Sequence, residues 1–222
     1  MQNGKRFDRS GFTLMEIVIA VAIVAIFAAA ISPMVFRHLE DAKLTRTLNE
    51  SESIATAVLS YYKDTGAWPF TSADGPTGNT VTRAISSANV AMGAGAGAGT
   101  GAANWGVQGT AKMLGDYLYY NNPDDDSSPT GVNANQAAGD WDTVGRGAWR
   151  GPYLGSYDFT DPWGKAYVVN VNYAPGGAYN GTVRHKVFVL SPGPDGLWQT
   201  PYNNNVVEDI LGDDIGTIVT VR

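Results

Sequence analysis

The first group in this chain able to do chemistry is Glu16, a carboxylate five residues after Gly11 at the head of an apolar stretch reaching Phe36. A carboxylate inside a membrane-length hydrophobic segment is costly and normally needs a cationic partner. The plainer alternative is that Glu16 snorkels to the interface, about one turn from the start of the segment. Other reactive constellations are weak. Asp124-Asp125-Asp126-Ser127-Ser128 invites a calcium-loop reading, but position six is Pro129 rather than glycine, and Asn135 stands where the closing Glu belongs. His38 and His185 are isolated, giving no metal cluster. There is no Ser/His/Asp order and no phosphate loop, so an enzyme is not expected.

The elements that position Glu16 read as an address and an anchor. Met1 to Gly11 carries Lys5, Arg6 and Arg9 against one acid, Asp8. Ile17 to Phe36 is almost wholly apolar and matches the ~20 residues that span a bilayer as a helix. The positive-inside tendency keeps the leader cytoplasmic and puts the chain beyond Arg37 outside. Ala28 to Ala30 imitates a signal-peptide cut, yet the apolar block is too long and runs into further helix, so an anchor is expected. Pro33 removes a backbone donor and predicts a kink or local opening near Ala29 to Pro33.

Beyond Phe36 the pattern stays helical. Leu44, Leu48, Ser51, Ala55, Val58 and Tyr62 recur at three- and four-residue steps, predicting a face packed on a sheet. Asp64-Thr65-Gly66 and Pro69 end the helix. From Thr13 to Asp64 it would span roughly 75–80 Å.

From Thr71 to Arg146 little is legible. Ala91 to Gly101 is a low-complexity Gly-Ala run with little capacity for a packed core. Gly109 to Tyr120 predicts a short helix with Met113, Leu114, Tyr117 and Leu118 on one face. Order returns with strands over Lys165–Asn172, Val183–Leu190 and Ile215–Val221, which predict a small antiparallel sheet.

A chain of 222 residues suits one domain plus a membrane segment, or two small domains. The formal net charge of −6 argues against a nucleic-acid footprint. With no cysteine, the folded part must rely on packing or bound ions.

The run Gly11-Phe12-Thr13-Leu14-Met15-Glu16-Ile17-Val18-Ile19 resembles the class III signal of type IV pilins and type II secretion pseudopilins. Arg150-Gly151-Pro152-Tyr153-Leu154, Asp161-Pro162-Trp163-Gly164-Lys165, Leu190-Ser191-Pro192-Gly193-Pro194-Asp195-Gly196 and Asp213-Asp214-Ile215 are similar to the type II secretion major pseudopilins. So is the helix exit from Tyr61 to Pro69. The resemblance covers Gly11 to Pro69 and Gly151 to Ile215.

It implies an α+β pilin-like lollipop: one long N-terminal helix, half membrane anchor and half amphipathic, packed on a small antiparallel C-terminal sheet. The organisation it implies is a leader at 1–11, the helix at 12–65, a loop-rich insert at 66–150 and the sheet with a calcium loop at 151–222. A prepilin peptidase would cut after Gly11 and methylate the new amine of Phe12. Losing a leader of net charge +2 would take the formal charge from −6 to −8. Glu16 would pair with the Phe12 amine of a neighbouring subunit, and Pro33 sits where such proteins carry a proline. Calcium is the implied cofactor. Asp195 with Asp213 and Asp214 has the chemistry for it, helped by backbone carbonyls near Leu190 to Pro192. An unliganded Pro-Asp-Gly turn is the plainer reading.

The function implied is a structural filament subunit, a major pseudopilin of a type II secretion-type system. A minor tip pilin or surface-fibre pilin binding a partner through its insert is the alternative. The implied partners are further copies of itself, the prepilin peptidase, the inner-membrane assembly platform and minor pseudopilins. The implied location is the inner membrane with a periplasmic C-terminal domain, then a periplasmic or extracellular filament.

Overall fold

The structure is a computed structural model that describes residues 11–69, 85–88, 94–95, 114–122, 140–170, 174, 186–201 and 210–220. The chain divides into two compact units, Met1–Lys43 and Leu44–Arg222.

Helix α1 runs Leu14–Thr65 without a break and contributes to both. In the first unit every residue from Gly11 to Ala42 is exposed. The segment is long and apolar enough to cross a membrane, judged by length and composition. The opening predicted at Pro33 is not found: residues 29–33 are all helical. Just before the proline, the Ser32 hydroxyl donates to the Ala28 carbonyl at 2.8 Å. Lys43 and Glu40 pair on the exposed surface at 2.8 Å, an interaction worth little in water.

The second unit contains the rest of α1 and a four-stranded antiparallel sheet. Its strands are β1 (Ile85–Ser86), β3 (Val168–Asn170), β4 (Lys186–Ser191) and β6 (Ile215–Thr220), in the order β1-β3-β4-β6. The three predicted strands are therefore present, with β3 beginning later than predicted and β4 running one residue further, to Ser191. Lys165 to Tyr167 lies outside β3, with Ala166 forming an isolated bridge to Thr160. Positions 171–172, 183–185 and 221 lie outside the described residues. Strand β4 is buried along its whole length because it has two covered faces. Val187 and Val189 join the core against the helix, while Phe188 and Leu190 pack with Val168 and Trp198 on the other face. That is why it reads as a continuous apolar run instead of an alternation.

The helix presents a different stripe from the predicted one. Thr47, Ser51, Ile54, Ala55, Ala57, Val58, Tyr61 and Thr65 are buried. Leu48 is 45% exposed and Tyr62 only half-buried. Ser51, Ala55 and Val58 belong to both sets, so the true face is turned toward Thr47 and Tyr61. Its polar members explain the error. The Ser51 hydroxyl meets the Thr217 hydroxyl of β6 at 2.9 Å, and the Tyr167 hydroxyl donates to the Glu50 carboxylate. An apolar count cannot see hydroxyls that find partners across the interface.

The predicted helix exit is confirmed. The Gly66 N–H closes the last turn on the Tyr62 carbonyl at 2.8 Å, and Tyr62 stacks on Trp68 with ring centroids 4.1 Å apart. Part of the region without legible pattern also enters the core. Leu114, Tyr117 and Leu118 are fully buried where a short helix was predicted, though Asp116–Tyr120 winds as a π-helical turn. Met113 and the remainder of that segment lie outside the described residues, as does the acidic run at 124–128. Tyr61 is ringed edge-on by Tyr117, Trp141 and Tyr153, and accepts the Trp141 indole N–H at 2.6 Å. The Gly-Ala run supplies β2 (Ala94–Gly95), parallel to β5 (Leu197–Trp198).

Candidate functional site

The N-terminal candidate residues sit at the first turn of α1. Thr13 precedes the helix, and its hydroxyl accepts the Glu16 N–H at 3.3 Å. In return, the Glu16 carboxylate accepts the Thr13 N–H at 2.8 Å and the Thr13 hydroxyl at 2.9 Å. This is a reciprocal capping box, which satisfies helix N–H groups that have no partner within the helix. Thr13-Leu14-Met15-Glu16 carries the sequence signal for it, a Thr followed three residues later by Glu at the start of an apolar run. The sequence reading assigned Glu16 only an intermolecular partner and overlooked Thr13. Both Thr13 bonds fall on Oε2, leaving Oε1 available for a second partner. Gly11 and Phe12 lie ahead of the helix and are exposed. Pro33 lies within the same helix, on the exposed apolar length.

The acidic candidates come together in the second unit, at the loop that follows β4. Gly193 makes this loop possible. Its φ is +66°, and a Cβ there would stand 2.0 Å from the Asp213 carbonyl, so any side chain is excluded. Gly196 N–H closes the Gly193–Gly196 turn at 3.3 Å, with Pro194 and Asp195 between. Asp195 then caps the next residues: its Oδ1 accepts the Leu197 N–H at 2.7 Å and its Oδ2 accepts the Gln199 amide at 2.8 Å. The Asp195 N–H donates to Asp213 Oδ2 at 3.2 Å. Asp214 Oδ2 accepts the N–H groups of Gln199 at 3.1 Å and Thr200 at 2.6 Å.

Asp214 is buried, and burial pushes its carboxyl up to about 6, with the neighbouring Asp213 charge acting in the same direction. The hydrogen bonds from Gln199 and Thr200 oppose that shift. Two acceptors in this network are buried without a partner: Asp214 Oδ1 and Gln199 Oε1.

The loop is also tied at its root. Asp161, itself buried, accepts the Ser191 hydroxyl at 2.6 Å and the N–H groups of Trp163 and Lys165 at 3.0 and 2.7 Å. The Ser191 oxygen accepts the Gly193 N–H at 3.1 Å. The Asp-Pro-Trp-Gly turn and the acidic loop thus form one hydrogen-bonded assembly. Sequence reasoning listed both motifs but saw no link between them, since 30 residues separate the partners.

The chemistry of this donor set is that of a hard, oxygen-preferring cation. Two orphaned, buried oxygens are what such an ion would satisfy. The carboxylates alone do not suffice: among the described residues no three His, Cys, Asp or Glu side chains are gathered to hold a metal. His38 is exposed on the first unit, and His185 lies outside the described residues.

Residues 6–32 match the family described as the prokaryotic N-terminal methylation motif. Three curated proteins are similar over longer stretches. Type II secretion system core protein G of Pseudomonas aeruginosa is 39% identical over 67 residues, 30% of this chain and 47% of that protein. Fimbrial protein EcpC of Eikenella corrodens is 32% identical over 87 residues, 39% of this chain and 57% of that protein. What is shared is an N-terminal methylation motif and a partial likeness to pilin-type proteins. Type IV major pilin protein PilE1 of Neisseria gonorrhoeae is 32% identical over 88 residues, 38% of this chain and 41% of that protein. The chain spans about half the length of the curated relatives it matches. No solved structure matches it at a significant level.

Proposed function

We propose that this pilin-like chain is a structural subunit of a helical type IV pilus-like filament, the major pseudopilin of a type II secretion-type system. The observation that carries the proposal is the N-terminal constellation: Gly11-Phe12 in open chain, Glu16 four residues on, and an exposed apolar helix behind it. That order suits a protein held in the inner membrane, cut after Gly11 by a prepilin peptidase, methylated at Phe12, then drawn into a polymer by an assembly platform. Exposed apolar surface of this extent needs lipid or identical neighbours to cover it. Within the polymer, the Phe12 amine of one subunit pairs with Glu16 of the next, fixing axial register while Thr13 keeps its cap. Minor pseudopilins would complete the fibre, and the second unit would face the periplasm.

Calcium belongs to the same proposal. Asp195, Asp213 and Asp214 would hold it, and the ion would tie together a loop that no disulfide closes. A second reading, a surface-fibre or tip pilin, draws support from the fimbrial and major-pilin names among the relatives.

Mass spectrometry of the mature protein tests the central step. The expected N-terminus is methylated Phe12, and an intact leader would end the proposal. Glu16→Leu should leave membrane insertion intact and abolish fibres; normal fibres from that variant would remove Glu16 from the assembly role.

A further inference from the structure

The acidic loop holds one donor that belongs to no acidic motif. Gln199 lies one residue beyond β5, with its backbone N–H on Asp214 Oδ2 at 3.1 Å and its side-chain Nε2 on Asp195 Oδ2 at 2.8 Å. It therefore stands between two of the three carboxylates, bonded to one through the backbone and to the other through the side chain. Its remaining polar atom, Oε1, is buried and unpartnered, as is Asp214 Oδ1 in the same network. With Asp214 ionised, both orphans are oxygens with lone pairs and no proton to share, so neither satisfies the other. Burying an acceptor this way carries a penalty that a native site removes by supplying a donor or a cation.

The side chain is also held in place. A Cβ at Gly212 would fall 2.5 Å from Gln199 Cγ, so the backbone at Gly212 packs directly on the Gln199 stem and any larger residue would displace it. Gly212 immediately precedes Asp213 and Asp214. The contact thus fixes Gln199 against the segment that carries two of the acids.

We propose that Gln199 Oε1 is a direct ligand of the divalent cation at this loop, and that Asp214 Oδ1, the other orphaned oxygen of the network, is a second. The inference rests on the calcium reading above and extends it. The neutral carboxamide oxygen adds a further hard donor to those the acidic loop already offers. Calcium accepts such mixed shells of carboxylate and carbonyl-type oxygens, whereas magnesium dehydrates reluctantly and requires near-octahedral ligands. Gln199 thus favours calcium over magnesium at this loop.

The test is calorimetric titration of calcium into the full mature chain in detergent after chelator treatment. The proteins compared are wild type, Asp214→Asn, Gln199→Leu, Gln199→Met and Gln199→Glu. The expected pattern is binding by wild type, loss in Asp214→Asn, and affinity lowered about tenfold or more in both apolar Gln199 variants. Gln199→Glu, which keeps an oxygen at that place, should bind at least as tightly as wild type. Circular dichroism and the unfolding midpoint in chelator should be unchanged in the Leu or the Met variant, separating ligand loss from misfolding. Wild-type affinity in both apolar variants, with Asp214→Asn still dead, would overturn the role of Gln199 and leave the calcium site standing. Silence from the wild type would instead overturn the calcium site, and Gln199 with it.

Discussion

At the scale of single residues, the second unit depends on polar groups that satisfy one another far from any sequence neighbour. Ser191 is the clearest case. Its hydroxyl donates to the buried Asp161 carboxylate and accepts from Gly193, so one side chain links the Asp-Pro-Trp-Gly turn to the acidic loop. Hydrogen bonds to charged groups contribute about 1.5–3 kcal/mol. Ser191→Ala should therefore lower unfolding stability by about 1.5–3 kcal/mol in chelator, read from the urea midpoint at constant slope. A variant within error of wild type would show that water replaces the hydroxyl without loss. Legibility at this scale was uneven. Asp195, Asp213 and Asp214 were recognisable as motif residues, and the structure brings them into one network. Gln199 and Thr200 were not, because a glutamine or threonine in a polar stretch carries no pattern until the fold supplies its partners.

At the scale of elements, α1 shows how far periodicity can be trusted. Its existence, its length and its end at Gly66 followed from the apolar run and the turn residues. Its buried face did not follow as well. Counting Leu48 in and Thr47 out turned the stripe away from the sheet, since hydroxyl-bearing residues at an interface look like surface residues in a sequence. The two assignments predict opposite mutational outcomes. Ile54, 2% exposed, lies on the observed face, so Ile54→Ala should cost about 2–5 kcal/mol. Leu48→Gln should stay within about 0.5 kcal/mol of wild type. Chemical denaturation of both variants decides between the faces, and the reverse ranking would restore the stripe read from sequence. The strands teach a related lesson. β4 was visible as an apolar run, whereas β1 and β2, two residues each, gain definition only from the partners they meet.

At the scale of the whole molecule, the division of labour between the two units sets what a solution experiment can see. Apolar surface on the first unit is exposed throughout, so detergent or lipid must accompany the purified chain. Folding of the second unit is where the proposed calcium would act. A cation bound only by the folded state adds about 2.7 kcal/mol at a hundredfold excess over its dissociation constant. For a unit of this size that corresponds to a rise of about 5–10 °C in Tm. Scanning calorimetry with calcium, then with excess chelator, should show the rise and its reversal; a midpoint indifferent to both would remove calcium from the molecule's account. The pairing of β2 with β5 has a consequence for how the gene can vary. β2 engages its partner at Ala94–Gly95, and the coding sequence offers the same dipeptide again at Ala96–Gly97 and Ala98–Gly99. Strand geometry repeats every two residues. Insertion or loss of one Ala-Gly unit therefore offers β5 an identical dipeptide, whereas a single-residue change swaps the phase. Length polymorphism in steps of six nucleotides is the variation this strand can absorb.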